Sequence, residues 1–305
     1  NYANTDYEFK LRPGDKVGNI WGYQTDGWYT TDDFVSYNPS NGRWYAWTDA
    51  NEDGVMQSSE QKAISTILGE ARPGMTKIVD QNGDGVINDE DRVVLGNTQA
   101  LVQGGFGLNF NIGGDRWGKV DLSAQFTYSV GNKVLNLSAL DYGTIFDKSK
   151  LRNNTANVAY GMRYSLFTQD GTFIPSQHVG ASGKVEGDDY AAMSAVLAAS
   201  NANVKNANPI SDNIALTDKY VEDASFLRLS SLTVGYSLPD RWINKAYIKT
   251  ARIFFTASNL FCVTPYSGAD PEVDTRSKIN PLATGVDFSA FPKSRAFNFG
   301  INLSF

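Results

Sequence analysis

Cysteine and histidine are nearly missing from this chain of 305 residues, which holds one of each, Cys262 and His178. A lone cysteine excludes an internal disulfide. A lone histidine argues against a histidine-based catalytic site. No run of 18 or more apolar residues occurs, so no segment reads as a membrane-spanning helix. Basic residues are outnumbered, 27 Lys+Arg against 33 Asp+Glu, and the formal net charge of -6 gives a nucleic-acid partner little electrostatic help. No signal peptide precedes Asn1, so the sequence reads as mature, processed or a fragment. What is abundant is 28 Gly together with 17 Phe, 15 Tyr and 6 Trp. That aromatic content excludes a disordered chain, and with few long apolar runs it reads as all-β.

Period-2 alternation is the strongest pattern. Phe297, Phe299, Ile301, Leu303 and Phe305 share one face of the last segment, and Asn298, Gly300, Asn302 and Ser304 the other. Val120, Leu122, Ala124, Phe126, Tyr128 and Val130 alternate with Asp121, Ser123, Gln125, Thr127 and Ser129. Phe106, Leu108, Phe110 and Ile112 alternate with Gly107, Asn109, Asn111 and Gly113. A fourth strand sets Leu232, Val234, Tyr236 and Leu238 against Ser231, Thr233, Gly235 and Ser237. A fifth, over 251–262, sets Ile253, Phe255 and Ala257 against Arg252, Thr256 and Ser258, with Phe254 breaking the pattern. The first candidate covers 3–12, with Tyr7, Phe9 and Leu11 on one face.

The connections between these six strands alternate in length. Residues 13–102 and 132–222 form two long loops, whereas 113–118 and 239–250 are short. Short turns on one side and long loops on the other are the pattern of an outer-membrane barrel, with the apolar face toward lipid and a wet, polar lumen. Asn109, Asn111, Asp121, Gln125, Asn298 and Asn302 are the expected lumen-facing residues. A soluble antiparallel sandwich also alternates, but it packs one face on another sheet, and the small polar face here suits a lumen instead. The chain ends on an alternating strand at Phe305, which fits the signal read by outer-membrane assembly machinery. Six strands cannot close a transmembrane barrel, because two open edges in lipid leave backbone groups unsatisfied. Strands from elsewhere are therefore expected to close it.

The first long loop holds two twelve-residue segments with the spacing of an EF-hand calcium loop. In the first, oxygens are offered by Asp49, Asn51, Asp53, the Val55 carbonyl, Gln57 and Glu60, with Gly54 at the sharp turn. In the second they are offered by Asp80, Asn82, Asp84, the Val86 carbonyl, Asn88 and Asp91. Asp91 is one methylene shorter than Glu, which suggests a looser last ligand. Asn, Asp and Gly also cluster in plain solvated turns, but two full-length matches in one loop point to calcium. Ligation would rigidify a long loop.

Six segments carry a family resemblance. They are GNIWGYQTDG at 18–27, DQNGDGVI at 80–87, YVEDASFLRL at 220–229, LTVGYSLP at 232–239, FFTASNLF at 254–261 and YSGADPEV at 266–273. In this order they resemble the C-terminal portion of a SusC/RagA-type TonB-dependent outer-membrane transporter. The resemblance implies a barrel of about 22 strands, of which this chain would supply about six, filled by a plug domain absent from this sequence. It also implies coupling to the TonB complex through an N-terminal region, and a SusD-like surface lipoprotein seated on the extracellular loops. Family substrates are glycans or, for some members, peptides.

The expected function is therefore part of an importer of oligosaccharides or peptides in the bacterial outer membrane. Trp21, Trp28, Tyr29, Trp44, Tyr45, Trp47, Tyr142, Phe146, Tyr160 and Tyr164 could stack on substrate or partner, or could pack the loops into a compact cap. The alternative is a soluble calcium-dependent binding module on a β-scaffold. An enzyme is not expected: Asp170, Glu186, Asp188 and Asp189 could pose as paired carboxylates, but nothing fixes their spacing.

Overall fold

The computed structural model describes residues 11–143, 160–210, 215–244, 247–275, 281 and 283–305. The expected strand over 3–12 lies outside the described residues except for Leu11 and Arg12. Two compact units divide the described residues: a wall unit drawn from 11–20, 96–136 and 221–305, and a cap unit drawn from 21–95 and 137–220.

The wall unit is built on one five-stranded sheet: β1 (Val102–Gly114), β2 (Gly118–Val130), β3 (Phe226–Ser237), β4 (Thr250–Val263) and β5 (Ala296–Ser304). The strands lie side by side in chain order, and every neighbouring pair is antiparallel. Their lengths of 13, 13, 12, 14 and 9 residues match a tilted strand crossing a bilayer. All five strands found here were expected from alternation, and the register joins their apolar positions into one face. Phe106 stacks on Phe126 at 4.8 Å, and Phe255 meets Phe299 at 4.8 Å across β4 and β5. Such cross-strand aromatic pairs stabilise a sheet by up to about 1 kcal/mol each.

That apolar face is uncovered. Phe110, Ile112, Val120, Ile253 and Phe297 are all exposed, and Phe299 is 82% exposed. A sandwich would have buried them under a second sheet. A barrel wall leaves them for lipid. At the short-turn end stand Trp117, Trp242 and Tyr247, all exposed, as in an interfacial aromatic girdle. The free edges of β1 and β5 pair with no strand among the described residues. The sheet is thus a segment of antiparallel β-barrel wall, with both edges free among the described residues.

Two irregularities depart from simple alternation. Ser230 is an extra residue in β3: Phe126 pairs with Leu229, but Gln125 pairs with Ser231. This bulge shifts the outward positions by one, so Leu227 and Leu229 rejoin the face of Leu232 and Val234. The strand therefore starts at Phe226, before the alternation at 231 becomes readable. The second irregularity is Phe254. It sits on the inner face opposite Gly300, and a Cβ at Gly300 would clash with its ring. The Arg252 guanidinium lies 5.2 Å from the same ring. Phe254 therefore fills the gap left by a glycine on the neighbouring strand.

At the long-loop end of the wall unit, Lys133–Asn136 lies between Val221–Asp223, antiparallel, and Val286–Asp287, parallel. Val134, Ala224, Tyr266 and Val273 bury a small core there. The Tyr266 hydroxyl donates to Asp287 at 2.7 Å, and burial pushes its pKa up.

In the cap unit, Ser36–Asn38, Arg43–Trp47, Gln61–Lys62 and Val185–Glu186 form a small sheet. Two helices, α1 (Leu137–Gly143) and α2 (Gly187–Ser200), belong to the same unit. Tyr29, Phe34, Tyr37, Trp44, Met75, Ile174, Val185, Tyr190, Met193 and Leu197 bury one aromatic-rich core. Both long connections contribute to it.

Candidate functional site

The six expected lumen residues share the polar face of the wall sheet. Asn109 pairs with Ser123, Asn111 with Asp121, Gln125 with Gly107, Asn298 with Thr256 and Asn302 with Arg252. Five are exposed, and Asp121 is half-buried. The register brings Asn111 and Asp121 together on β1 and β2. It leaves Asn298 and Asn302 on the opposite edge, in β5. Arg252 bridges the gap by donating from Nε to Asp121 Oδ1 at 2.9 Å, and the pair is about a quarter exposed. One polar row thus crosses the sheet from Asn111 to Asn302. Arg252 was readable as a polar-face residue, but its pairing across two strands was not. Phe305 is exposed and follows directly on β5.

The two acidic loops fold alike. Position one accepts from the glycine amide at position six: Gly54 to Asp49 at 2.8 Å, and Gly85 to Asp80 at 2.7 Å. Position three accepts from position five: Asp53 to Asn51 at 3.1 Å, and Asp84 to Asn82 at 3.0 Å. Position five accepts from position seven: Val55 to Asp53 at 2.7 Å, and Val86 to Asp84 at 2.8 Å. The last carboxylate reaches back to position two: Ala50 donates to Glu60 at 3.2 Å, and Gln81 to Asp91 at 2.8 Å. Gly54 and Gly85 hold φ of 71° and 78°, a region open to glycine without strain. Glu60 and Asp91 are buried, Asp91 fully. Backbone amides from Gly85, Gly83 and Asp84 hold the Asp80 carboxyl below its ordinary pKa, against a smaller opposing effect of desolvation.

This donor set is oxygen-only, as a hard cation requires, and a carboxylate oxygen that accepts one amide keeps a second lone pair. Two observations bear on the fit. Gln57 turns its amide NH2 toward Asp53 at 2.9 Å, and Asn88 uses its carbonyl to cap Glu90 at 2.7 Å. Among the described residues, no three acidic, histidine or cysteine side chains stand together as a metal cluster. The donor chemistry fits calcium, and convergence of the carboxylates does not accompany it in this conformation.

A third feature escaped sequence reasoning. Arg228, on the inner face of β3, donates to Asp270 at 2.6 Å and pairs through Nε with Glu272 at 2.7 Å. Lys293 also pairs with Glu272 at 2.7 Å. Arg228 and Asp270 are both 5% exposed. Backbone amides of Glu272 and Lys293 complete the Asp270 shell. The segment after β4 is thereby pinned to the inner wall.

The loop aromatics divide. Tyr29, Trp44 and Tyr164 are buried in the cap core, and Trp28 packs against it. Tyr142 and Tyr160 are exposed, Trp21, Tyr45 and Trp47 are half-buried, and Phe146 lies outside the described residues. Burial of its hydroxyl pushes Tyr29 up to about 12, with the Asp33 charge adding to the shift.

No family model matches the chain. TonB-dependent receptor P3 of Formosa agariphila is 25% identical over 97% of the chain and 23% of the receptor. TonB-dependent receptor SusC of Bacteroides thetaiotaomicron is 32% identical over 30% of the chain and 8% of the receptor. Among solved structures, the RagAB peptide transporter aligns with 94% of the chain and 23% of its own, at 17% identity and a TM-score of 0.47. The chain spans about a quarter of the length of the relatives that match it throughout, 23% and 26% for two of them. It is a relative of the TonB-dependent receptors of the bacterial outer membrane, SusC among them, and its strands are a segment of the barrel wall.

Proposed function

We propose that this chain supplies part of the barrel wall and two long loops to a TonB-dependent importer that takes up oligosaccharides or peptides across the outer membrane. The carrying observation is the uncovered apolar face of the five-stranded wall, whose polar face carries the Asn111–Asp121–Arg252–Asn302 row. Water would penalise that apolar face at about 25 cal/mol per Å², and lipid removes the penalty. In this reading, the remaining strands and plug of the same transporter close the free edges of β1 and β5. The TonB complex acts through the region N-terminal to this segment. A SusD-like lipoprotein seats on the loops 13–102 and 132–222, which face outward from the cell. The chain carries no catalytic role, in keeping with relatives named as receptors.

Calcium belongs to the same proposal. Two loops with the same residues at positions one, three, five, six and seven adopt one hydrogen-bond pattern, which supports a shared task for Asp49, Asn51, Asp53, Val55, Gln57 and Glu60, and for Asp80, Asn82, Asp84, Val86, Asn88 and Asp91. Bound there, the ion would offset carboxylate repulsion and stiffen both loops.

Deleting residues 220–305 from the full-length transporter tests the import reading. Loss of substrate uptake and of outer-membrane insertion is expected. Normal growth on the transported substrate would overturn it. Recovery of the intact protein from cells as a water-soluble monomer without detergent would favour the soluble calcium module instead.

A further inference from the structure

The tripeptide Asp-Arg-Trp occurs twice in the chain, and its two copies sit in the two short turns of the wall. Asp115, Arg116 and Trp117 join β1 to β2, and Asp240, Arg241 and Trp242 open the connection from β3 to β4. Both copies fold alike. The Trp117 amide donates to the Gly114 carbonyl at 3.1 Å, and the Trp242 amide to the Pro239 carbonyl at 2.9 Å. The Arg116 guanidinium lies 5.7 Å from the centre of the Trp117 ring, and that of Arg241 lies 5.8 Å from Trp242. Both distances are within cation–π range. β2 and β3 are neighbours, with Lys119 opposite Ser237, so the two turns adjoin. The Tyr236 hydroxyl, from the apolar face of β3, donates to the Trp117 carbonyl at 2.7 Å and ties the first turn to that face.

Charge is segregated across these turns. Asp115 and Asp240 line a common hollow of about 240 Å³ with the polar-face residues Lys119, Ser237, Thr250 and Arg252. Arg116 and Arg241 do not line it, and among the described residues neither forms an ion pair. Each is held instead by the indole beside it, at the level where interfacial tryptophans meet lipid headgroups. A guanidinium resting on an aromatic face keeps its fork of N–H donors, which matches a phosphate. A zwitterionic headgroup would also bring an ammonium, and the two carboxylates that could receive it line the hollow beside Lys119.

Resting on the import reading, we propose that the paired Asp-Arg-Trp turns clamp the phosphate of an anionic phospholipid in the leaflet at the short-turn end, with Arg116 and Arg241 as its phosphate-binding residues. In that reading the missing strands add at the edges of β1 and β5 and the plug lies on the lumen side, which leaves lipid at the outer side of both turns.

The test is native mass spectrometry of the detergent-purified full-length transporter mixed with phosphatidylglycerol, phosphatidylethanolamine or lipid A. The variants are Arg116→Gln/Arg241→Gln and Arg116→Lys/Arg241→Lys, each confirmed as folded by heat-modifiable migration. The wild type should retain about fivefold more phosphatidylglycerol than phosphatidylethanolamine. The Gln pair should erase that preference and leave phosphatidylethanolamine unchanged, and the Lys pair, which keeps charge without the fork, should restore part of it. Equal retention of the two phospholipids by the wild type overturns the proposal without any variant. So does a preference that the Gln pair leaves intact. A preference for lipid A that the Gln pair abolishes also overturns it, because the phosphate would then come from the opposite leaflet. Displacement of phosphatidylglycerol by millimolar inorganic phosphate overturns it as well, by making this a free-phosphate site. Absence of lipid preference in a transporter that inserts and drives uptake overturns the clamp and leaves the import reading standing. Failure of the wild type to insert or to drive uptake removes the import reading and the clamp with it.

Discussion

Replacing Arg228 by Met would show how firmly the segment after β4 is held to the wall. The change removes the partner of a carboxylate that is 5% exposed, and frees Glu272 of one of its two cations. Breaking a buried pair from one side costs about 3–5 kcal/mol, because the remaining charge stays buried. Two features favour the lower end. Asp270 keeps amide donors from Glu272 and Lys293, at 2.9 and 3.2 Å, and Lys293 still neutralises Glu272. A local loss of about 3 kcal/mol corresponds to a rise of roughly a hundredfold in opening of the segment. Hydrogen exchange of the full-length protein in detergent would read it at residues 264–275. Arg228→Met/Asp270→Leu should recover part of the loss, since no buried charge is then stranded. Unchanged exchange in Arg228→Met would refute the reasoning. So would a double variant whose penalty equals the sum of the two single ones.

Other expectations follow from separate parts of the molecule. Chelation of calcium should raise protease cleavage within 40–95, and re-addition should reverse it; cleavage indifferent to both would remove calcium from the account. Trp44→Ala should destabilise the cap by about 3–5 kcal/mol through loss of a buried aromatic, measured by thermal melting with the wall strands intact. Gly300→Val should displace the Phe254 ring and slow barrel assembly, scored by heat-modifiable migration in detergent. Alkaline titration should weaken the cap between pH 10 and about 12. Tyr29 and Tyr164 keep their protons to about pH 12 when folded, mainly through burial, whereas unfolded tyrosine ionises near 10. Their contribution is complete below pH 10 and lost as pH rises through 12, which tyrosinate absorbance against melting temperature would follow.

How much was legible depended on whether the physics was local. A strand that alternates strictly, such as Phe297 to Phe305, declares both faces from its own residues. The fourth strand was readable only from Ser231, because the bulge at Ser230 swaps the parity and hides Leu227 and Leu229. Phe254 looked like a fault in the fifth strand, and its reason lies on another strand, at Gly300. The acidic loops showed their spacing plainly, while the reach of Glu60 and Asp91 back to position two needed coordinates. Arg228, Asp270 and Glu272 were visible inside quoted segments without a role, since only folding brings them together. For the loop aromatics, one-dimensional pattern could not separate stacking surface from core. Burial of Tyr29, Trp44 and Tyr164 assigns those three to the cap interior.

The orientation of the wall in lipid is the claim on which the rest depends. Nitroxide labels placed one at a time from Phe297 to Leu303, in the full-length protein within outer-membrane vesicles, would test it directly. Accessibility to oxygen should peak at 297, 299, 301 and 303, and accessibility to a polar nickel chelate at 298, 300 and 302. Labels at 297, 299, 301 and 303 that favour the nickel chelate, or no alternation at all, would contradict a lipid-facing wall.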